Sequence, residues 1–270
     1  MAEAETVIQC LTKVNDAGAT EPASPVHGGV PYPAGVVTVD VVSIEAESGG
    51  SVVFGVQVSQ DGSEWHEIKT FRPISRAGRY RACARLPLPM VRLAYACASV
   101  SDVCFLADVT LAYCCGEDLR ERVSDRLLLK WADDDNDGEL SAEEESGIAG
   151  AALAAGAEID AIAQASYVVP FCPAPDEIRA IASRCAIRLL SARKGFPDGE
   201  DDRYRAAWER DMAFLDAVAS RGLSLSGGIA RRRELDSTTR TADTNLSSAR
   251  MNRESGAVEN ADFSRKLDDF

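Results

Sequence analysis

Residues 133 to 144 read Asp-Asp-Asp-Asn-Asp-Gly-Glu-Leu-Ser-Ala-Glu-Glu, a spacing of oxygen donors suited to a single hard cation. With Asp133 at position one, Asp135 falls at three, Asp137 at five, Gly138 at six, Leu140 at eight and Glu144 at twelve, the full pattern of an EF-hand loop. Calcium takes about six to eight oxygen ligands. The carboxylates of Asp133, Asp135 and Asp137 can aim at one point, the carbonyl of Glu139 can add a donor, and the end-on carboxylate of Glu144 can close the shell. These five residues are the expected metal ligands and Ca2+ in a structural role the expected ion. Gly138 supplies the sharp turn that brings the first three acids round.

Other chemistry is thin. The two histidines, His27 in a polar loop and His66 on a strand, have no second histidine or cysteine at metal spacing. There is no glycine-rich phosphate loop and no Gly-x-Ser-x-Gly elbow. Glu158 and Asp160 lie two apart on a helix, so they point to different faces and suit a helix-end salt bridge better than paired catalysis. No catalytic site is expected. Eight cysteines (Cys10, Cys83, Cys97, Cys104, Cys114, Cys115, Cys172 and Cys185) mostly sit among apolar neighbours, and no two are spaced as a metal-binding pair. Together with an opening Met-Ala-Glu-Ala-Glu that lacks the basic and apolar regions of a signal peptide, they read as reduced core thiols made in a cytoplasm. No run of about eighteen apolar residues is present, so no membrane span is expected.

The chain has 270 residues, 46% of them apolar, and a formal charge of −14. Eight acids between Asp133 and Glu145, with no base among them, account for more than half of that excess. A general nucleic-acid binder needs a clustered basic surface, which this balance argues against.

The elements that must hold the loop follow from periodicity. Residues 1–33, with Pro22, Pro25, Pro31 and Pro33, read as an arm or an edge segment. Over 34–115 the period is two. Val37, Val39, Val41 and Ile44 mark one strand, and Val52, Phe54, Val56 and Val58 the next. An Asp61-Gly62 turn leads to Trp65, Glu67 and Ile68, and further strands cover Tyr80–Leu86, Met90–Cys97 and Val103–Tyr113, with a polar break at residues 99–102. This predicts an antiparallel β-sandwich. Trp65 either covers an open end of the sandwich or offers a platform to a carbohydrate.

Over 117–225 the period turns helical. Leu119, Val123, Leu127 and Trp131 predict a first helix. Ser141, with Glu144 three residues on, caps a second whose inner stripe is Ile148, Ala152, Ala155, Ile159 and Ile162. Glu144 is thereby claimed by both cap and metal. Three prolines make 167–175 an extended connector. A third helix carries Ile178, Ile181, Cys185 and Leu189 inward, and a fourth carries Tyr204, Trp208, Met212, Leu215 and Val218. Residues 226–270, poor in large apolar groups and holding the basic run Arg231-Arg232-Arg233, read as a flexible extended tail able to reach about 140 Å. The expected class is α+β multidomain: arm, sandwich, four-helix domain with an EF-hand-like loop, and tail.

The helical half resembles a family. A short helix, the turn Trp131-Ala132-Asp133-Asp134-Asp135-Asn136-Asp137-Gly138, an alanine-rich helix containing Glu158-Ile159-Asp160, the connector Tyr167-Val168-Val169-Pro170, a helix opening Pro175-Asp176-Glu177-Ile178-Arg179 and a last helix ending in Phe214-Leu215 resemble the Mu-like head-to-tail connector proteins of tailed phages, over about residues 117–225. The resemblance implies a non-catalytic adaptor of the virion neck, assembled in the host cytoplasm. It implies a homo-oligomeric ring, usually of twelve copies, beneath the portal protein, with a tail-side stopper or terminator docking below. DNA would pass through the ring without sequence-specific binding. The sandwich and the long tail depart from the family pattern, and Glu144 supplies a position-twelve carboxylate that the family's loop often lacks. Two other classes compete: a calcium-responsive regulator, which normally pairs two loops where this chain has one, and a carbohydrate-binding module joined to a calcium module, which would make Trp65 its platform.

Overall fold

The computed structural model describes residues 6–14, 16–27, 30–194, 201–220 and 224–225, all within the first of two compact units, Met1–Ala230. The expected tail over 226–270, with Arg231, Arg232 and Arg233, lies outside the described residues. Eight strands precede five helices: β1 (Thr6–Val14), β2 (Gly18–Ala19), β3 (Val26–His27), β4 (Val30–Pro31), β5 (Ala34–Ser59), β6 (His66–Thr70), β7 (Gly78–Arg85), β8 (Met90–Leu111), α1 (Gly116–Arg120), α2 (Asp125–Ala132), α3 (Ala142–Ala163), α4 (Asp176–Arg193) and α5 (Asp201–Ala219). The class is α+β, an N-terminal antiparallel sheet followed by helices.

The sheet differs from the expected two-layer sandwich in an instructive way. One six-stranded antiparallel sheet runs β1-β8-β5-β6, with β2 added to β8 and β7 to β5; β3 and β4 form a separate ribbon. The segments expected as four strands are the halves of two long ones, β5 of 26 residues and β8 of 22. They pair from Gly35↔Leu111 to Ser59↔Met90. The polar stretch at 99–102 is a bend instead of an end. Ala46 pairs with Val100 and Ser51 with Ala98, so residues 47–50 bulge opposite Ser99. Ser99 (φ 52°) and Gly49 (φ 84°) take left-handed conformations there. Bulges kink and twist a strand, so one sheet folds back on itself and encloses its own core. Val37, Val39 and Val41 before the bend and Val52, Phe54, Val56 and Val58 after it join a single cluster with Leu93 and Phe105. The segment expected as an arm or an edge includes β1, which borders β8 from Thr6↔Val109 to Val14↔Val103.

The expected first helix is two. Ser124 caps α2, accepting a hydrogen bond from the Leu127 amide at 3.4 Å, because a serine hydroxyl satisfies a helix start better than it continues a helix. The stripe Leu119, Val123, Leu127 and Trp131 nevertheless stays on the core across the break. The described residues thus hold five helices where four were expected. On α3, Ile148, Ala152, Ala155 and Ile159 are buried as expected and Ile162 partly so. α3 is the one described helix whose length and composition would suit a bilayer, with mean hydropathy 1.3 over its most apolar window. Here it is a core helix, packed against β7, α4 and α5, and its alanines let those neighbours come close.

Sheet and helices build two cores that share a boundary. Val36 and Cys83, on the outer face of the sheet, belong to the helical cluster, and Ala142 of α3 belongs to the sheet cluster. Val36 and Val37 are both fully buried; one faces the helices and the other the sheet's own interior. Ion pairs bridge the same boundary: Arg85 to Asp118 at 2.6 Å, Arg76 to Glu143 at 3.1 Å and Lys69 to Glu145 at 3.3 Å.

Asp118 is the buried member of these pairs. It also accepts the Cys115 amide at 2.8 Å, completing a capping box on α1. Burial pushes its carboxyl up, and the Arg85 guanidinium with the Cys115 hydrogen bonds outweighs that and holds it below the usual carboxylate value. A depressed folded-state pKa gives stability that is present above the unfolded value, 3.8, and is lost as pH falls through the lower folded value. The Asp118→Asn variant keeps an acceptor for the cap but loses the charge. Its urea midpoint should fall below wild type at pH 7, and the gap should close as pH falls below 3.8 and through the lower folded value. A gap that stays constant with pH would mean that Arg85 contributes nothing through charge.

Candidate functional site

The Asp-rich turn spans the gap between α2 and α3, and its own side chains hold it. Asp133 is 5% exposed. One of its carboxylate oxygens accepts the Asn136 amide and the other the Gly138 amide at 2.9 Å. Asp135 accepts from the Asp137 amide at 3.2 Å, and Asp137 from the Glu139 amide at 2.8 Å. Asn136 (φ 61°) and Gly138 (φ 89°) take the left-handed conformations that let the loop reverse, which fits the glycine expected at position six.

Glu144 goes to the cap. Its two carboxylate oxygens accept the amides of Asp134 and Ser141, while Ser141 Oγ accepts the Glu144 amide at 3.3 Å. Burial raises the Glu144 carboxyl, and the Ser141 and Asp134 amides bring it below its ordinary value. Asp135 is held above the usual range: the Asp137 amide lowers it, but desolvation and the neighbouring carboxylates of Asp137, Glu144 and Asp133 outweigh that bond.

For a divalent cation the donor set fits in part. Ligand oxygens of Asp133, Asp135 and Asp137 all lie within 4.8 Å of one another, the convergence expected from the spacing. Glu139 contributes its amide to the loop's hydrogen bonds, and its side chain is exposed. Glu144 would have to exchange backbone amides for the ion. Three of the five sequence-expected ligands are therefore drawn together by side-chain oxygens.

Two anchoring residues carry no motif. Lys194, capping the end of α4, donates to the carbonyl of Asp133, and Arg193 pairs with Asp134 at 2.9 Å. A basic pair in the last turn of a helix suits its carbonyl-rich end; that it clasps a loop some sixty residues earlier has no local signature.

The Glu158-Ile159-Asp160 triplet divides its faces as expected. Glu158 pairs with Arg188 at 3.0 Å, Ile159 is fully buried, and Asp160 accepts from the hydroxyl of Tyr113. Tyr113 OH in turn accepts the amide of Phe171 at 2.8 Å, so the end of the sheet, α3 and the connector meet at one hydroxyl. The connector is non-helical as expected but bent instead of extended, with bends at 169–170 and 172–173 and cis bonds before Pro170 and Pro173. Tyr167 OH accepts the Leu225 amide at 3.1 Å.

Trp65 lies under the Arg92 guanidinium, 4.2 Å from its ring, and donates its indole N–H to Gly62 at 3.0 Å. It staples the β5–β6 hairpin. His66 is exposed on β6. Burial pushes the thiols of Cys114 and Cys185 up to about 12, and it raises Cys83 and Cys115 as well, which leaves these cysteines as inert core groups.

This arrangement defines a class: an α+β protein in which an acid-rich helix–loop–helix, closed by a basic helix end, is mounted on a folded antiparallel sheet. Residues 113–244 match the family described as Bacteriophage Mu, Gp36. That stretch is 132 of the 270 residues, and over it the chain is similar to the family, which is consistent with a Mu-like phage protein. No curated protein matches it. The match begins at Tyr113, earlier than the expected boundary at 117, in accord with the place of Tyr113 in the helical core. It continues past 225 into the stretch read from sequence as tail.

Proposed function

We propose that this protein is a structural head-to-tail adaptor of a tailed-phage virion, forming a homo-oligomeric ring under the portal protein and presenting a surface to a stopper or terminator on the tail side. The observation that carries the reading is the Gp36 family match over the helical half. The chemistry is compatible with it. Asp133, Asp135, Asp137 and Glu144 hold backbone amides, Glu158 pairs with arginine and Asp160 with a tyrosine hydroxyl, and four described cysteines are buried with raised pKa values, so the protein acts by assembly and not by catalysis. With a net charge of −14, a ring lets DNA pass without holding it.

Calcium, in this reading, is a structural ion that Asp133, Asp135 and Asp137 hold, with the Glu139 carbonyl and Glu144 completing the shell after Glu144 releases its amides. It reinforces the angle between α2 and α3 that the loop's own hydrogen bonds already set. The test is the mass of the purified protein alone and after mixing with its portal, together with cryo-microscopy of virion necks. A ring that forms on the portal and density for this chain in the neck are expected; a protein that stays monomeric with portal and is missing from purified necks would overturn the reading.

A further inference from the structure

We propose that the cleft between the α1–α2 turn, α4 and α5 is a docking site for an acidic peptide segment of a partner protein that carries a bulky apolar side chain. The cleft encloses about 550 Å³. Its apolar surface comes from Leu127, Ile187 and Trp208, and its charged groups include Arg122, Arg184 and Arg210 against one acid, Asp211.

Part of the wall is already committed. Asp211, 7% exposed, holds Arg184 through two bonds of 2.6 and 2.7 Å. Arg188 lies 4.2 Å from the centre of the Trp208 ring and is itself fixed by Glu158. The indole is thereby held in place before any ligand arrives, which lowers the cost of binding. The Arg122 side chain makes no hydrogen bond or ion pair with the described residues, and that of Arg210 only a 3.3 Å bond to the Ala206 carbonyl. Both are exposed.

Two uncommitted guanidinium groups beside apolar surface, in a chain of net charge −14, select for carboxylates with an adjoining hydrophobic anchor. Arginine pairs carboxylate through a planar fork, and a half-buried tryptophan is a common binding anchor. A nucleic acid strand fits less well, because Asp211 lines the same cleft and the chain's overall charge repels a phosphate backbone. The inference uses no part of the adaptor reading, and its test needs neither ring nor portal.

The test is fluorescence anisotropy on the full chain with labelled Gly-Leu-Asp-Asp-Phe-Gly as probe, up to millimolar concentration. Controls are the same peptide with Lys for both Asp, the same with Ala for Leu and Phe, and a single-stranded oligonucleotide. Expected results are binding of the acidic apolar probe that weakens with salt, with at least tenfold loss for either peptide control. The Arg122→Glu/Arg210→Glu double variant should show a similar loss while keeping the wild-type melting temperature, since both side chains are exposed, and the Gln pair should fall between. The proposal is overturned if the probe does not bind, if the double variant or the lysine peptide binds as well, or if the oligonucleotide binds more tightly. It is also overturned if the double variant changes the mass of the protein alone, which would make a second copy the occupant.

Discussion

Replacing Asp133 by Ala should destabilise the protein by about 2–4 kcal/mol in metal-free buffer, because a buried carboxylate that accepts two backbone amides is lost. The Asn136 and Gly138 amides then have no acceptor inside a loop whose left-handed residues cannot relax into a helix. Each charge-assisted bond is worth about 1.5–3 kcal/mol, and the two are not additive, since the loop that loses one has largely lost the other. Asp135→Ala removes an exposed side chain with one 3.2 Å bond and should lower the urea midpoint far less in the same buffer. If Ca2+ binds, both variants should lose it, and wild type at about a hundredfold excess over its Kd should gain about 2.7 kcal/mol that neither variant gains. Urea midpoints with EDTA and with calcium separate two ideas. Equal midpoints for wild type in both buffers remove the ion and leave the hydrogen-bonded clamp. Asp133→Ala matching wild type in EDTA removes the clamp itself.

The two halves of the chain were legible to different degrees, for physical reasons. A helix writes its buried face locally, so Ile148, Ala152, Ala155 and Ile159 could be placed inside from spacing alone. The exception is the break at Ser124, where one capping hydroxyl interrupts a stripe that the core still uses. A sheet leaves its closure unwritten. Alternation located the strands, but whether residues 99–102 end a strand or bend one depends on the pairing of Ala46–Ser51 with Ala98–Val100, some fifty residues away. The candidate site followed the same division. The i, i+2, i+4 acids converge because the turn is local. The choice of Glu144 between cap and ion was visible as a conflict, and the geometry gives it to the cap. Lys194, Arg193 and Tyr113 went unnoticed because each acts on residues that only the fold brings near.

Ile159→Ala should carry the largest cost of any single change considered, about 3–5 kcal/mol, because it empties a fully buried site that neighbouring groups cannot fill. Collapse into the cavity is resisted from both sides. Glu158 is pinned to Arg188 and Asp160 to Tyr113, so α3 cannot slide without breaking a partner that also fixes α4 or the connector. The location of that loss distinguishes one folding unit from two. Divided at 116, the chain would keep a stable sheet while the helices melted. The shared boundary through Val36, Cys83 and Ala142, with the ion pairs of Arg85, Lys69 and Arg76 across it, favours a single cooperative unit in which the sheet cannot keep its outer face dry once α3 leaves. Native-state hydrogen exchange reads this directly. The slowest amides of β5 and β8 should accelerate about a hundredfold or more in the variant, by the same factor as those of α3. Acceleration confined to α3 and α4 would restore the boundary at 116 and make the sheet an independent domain.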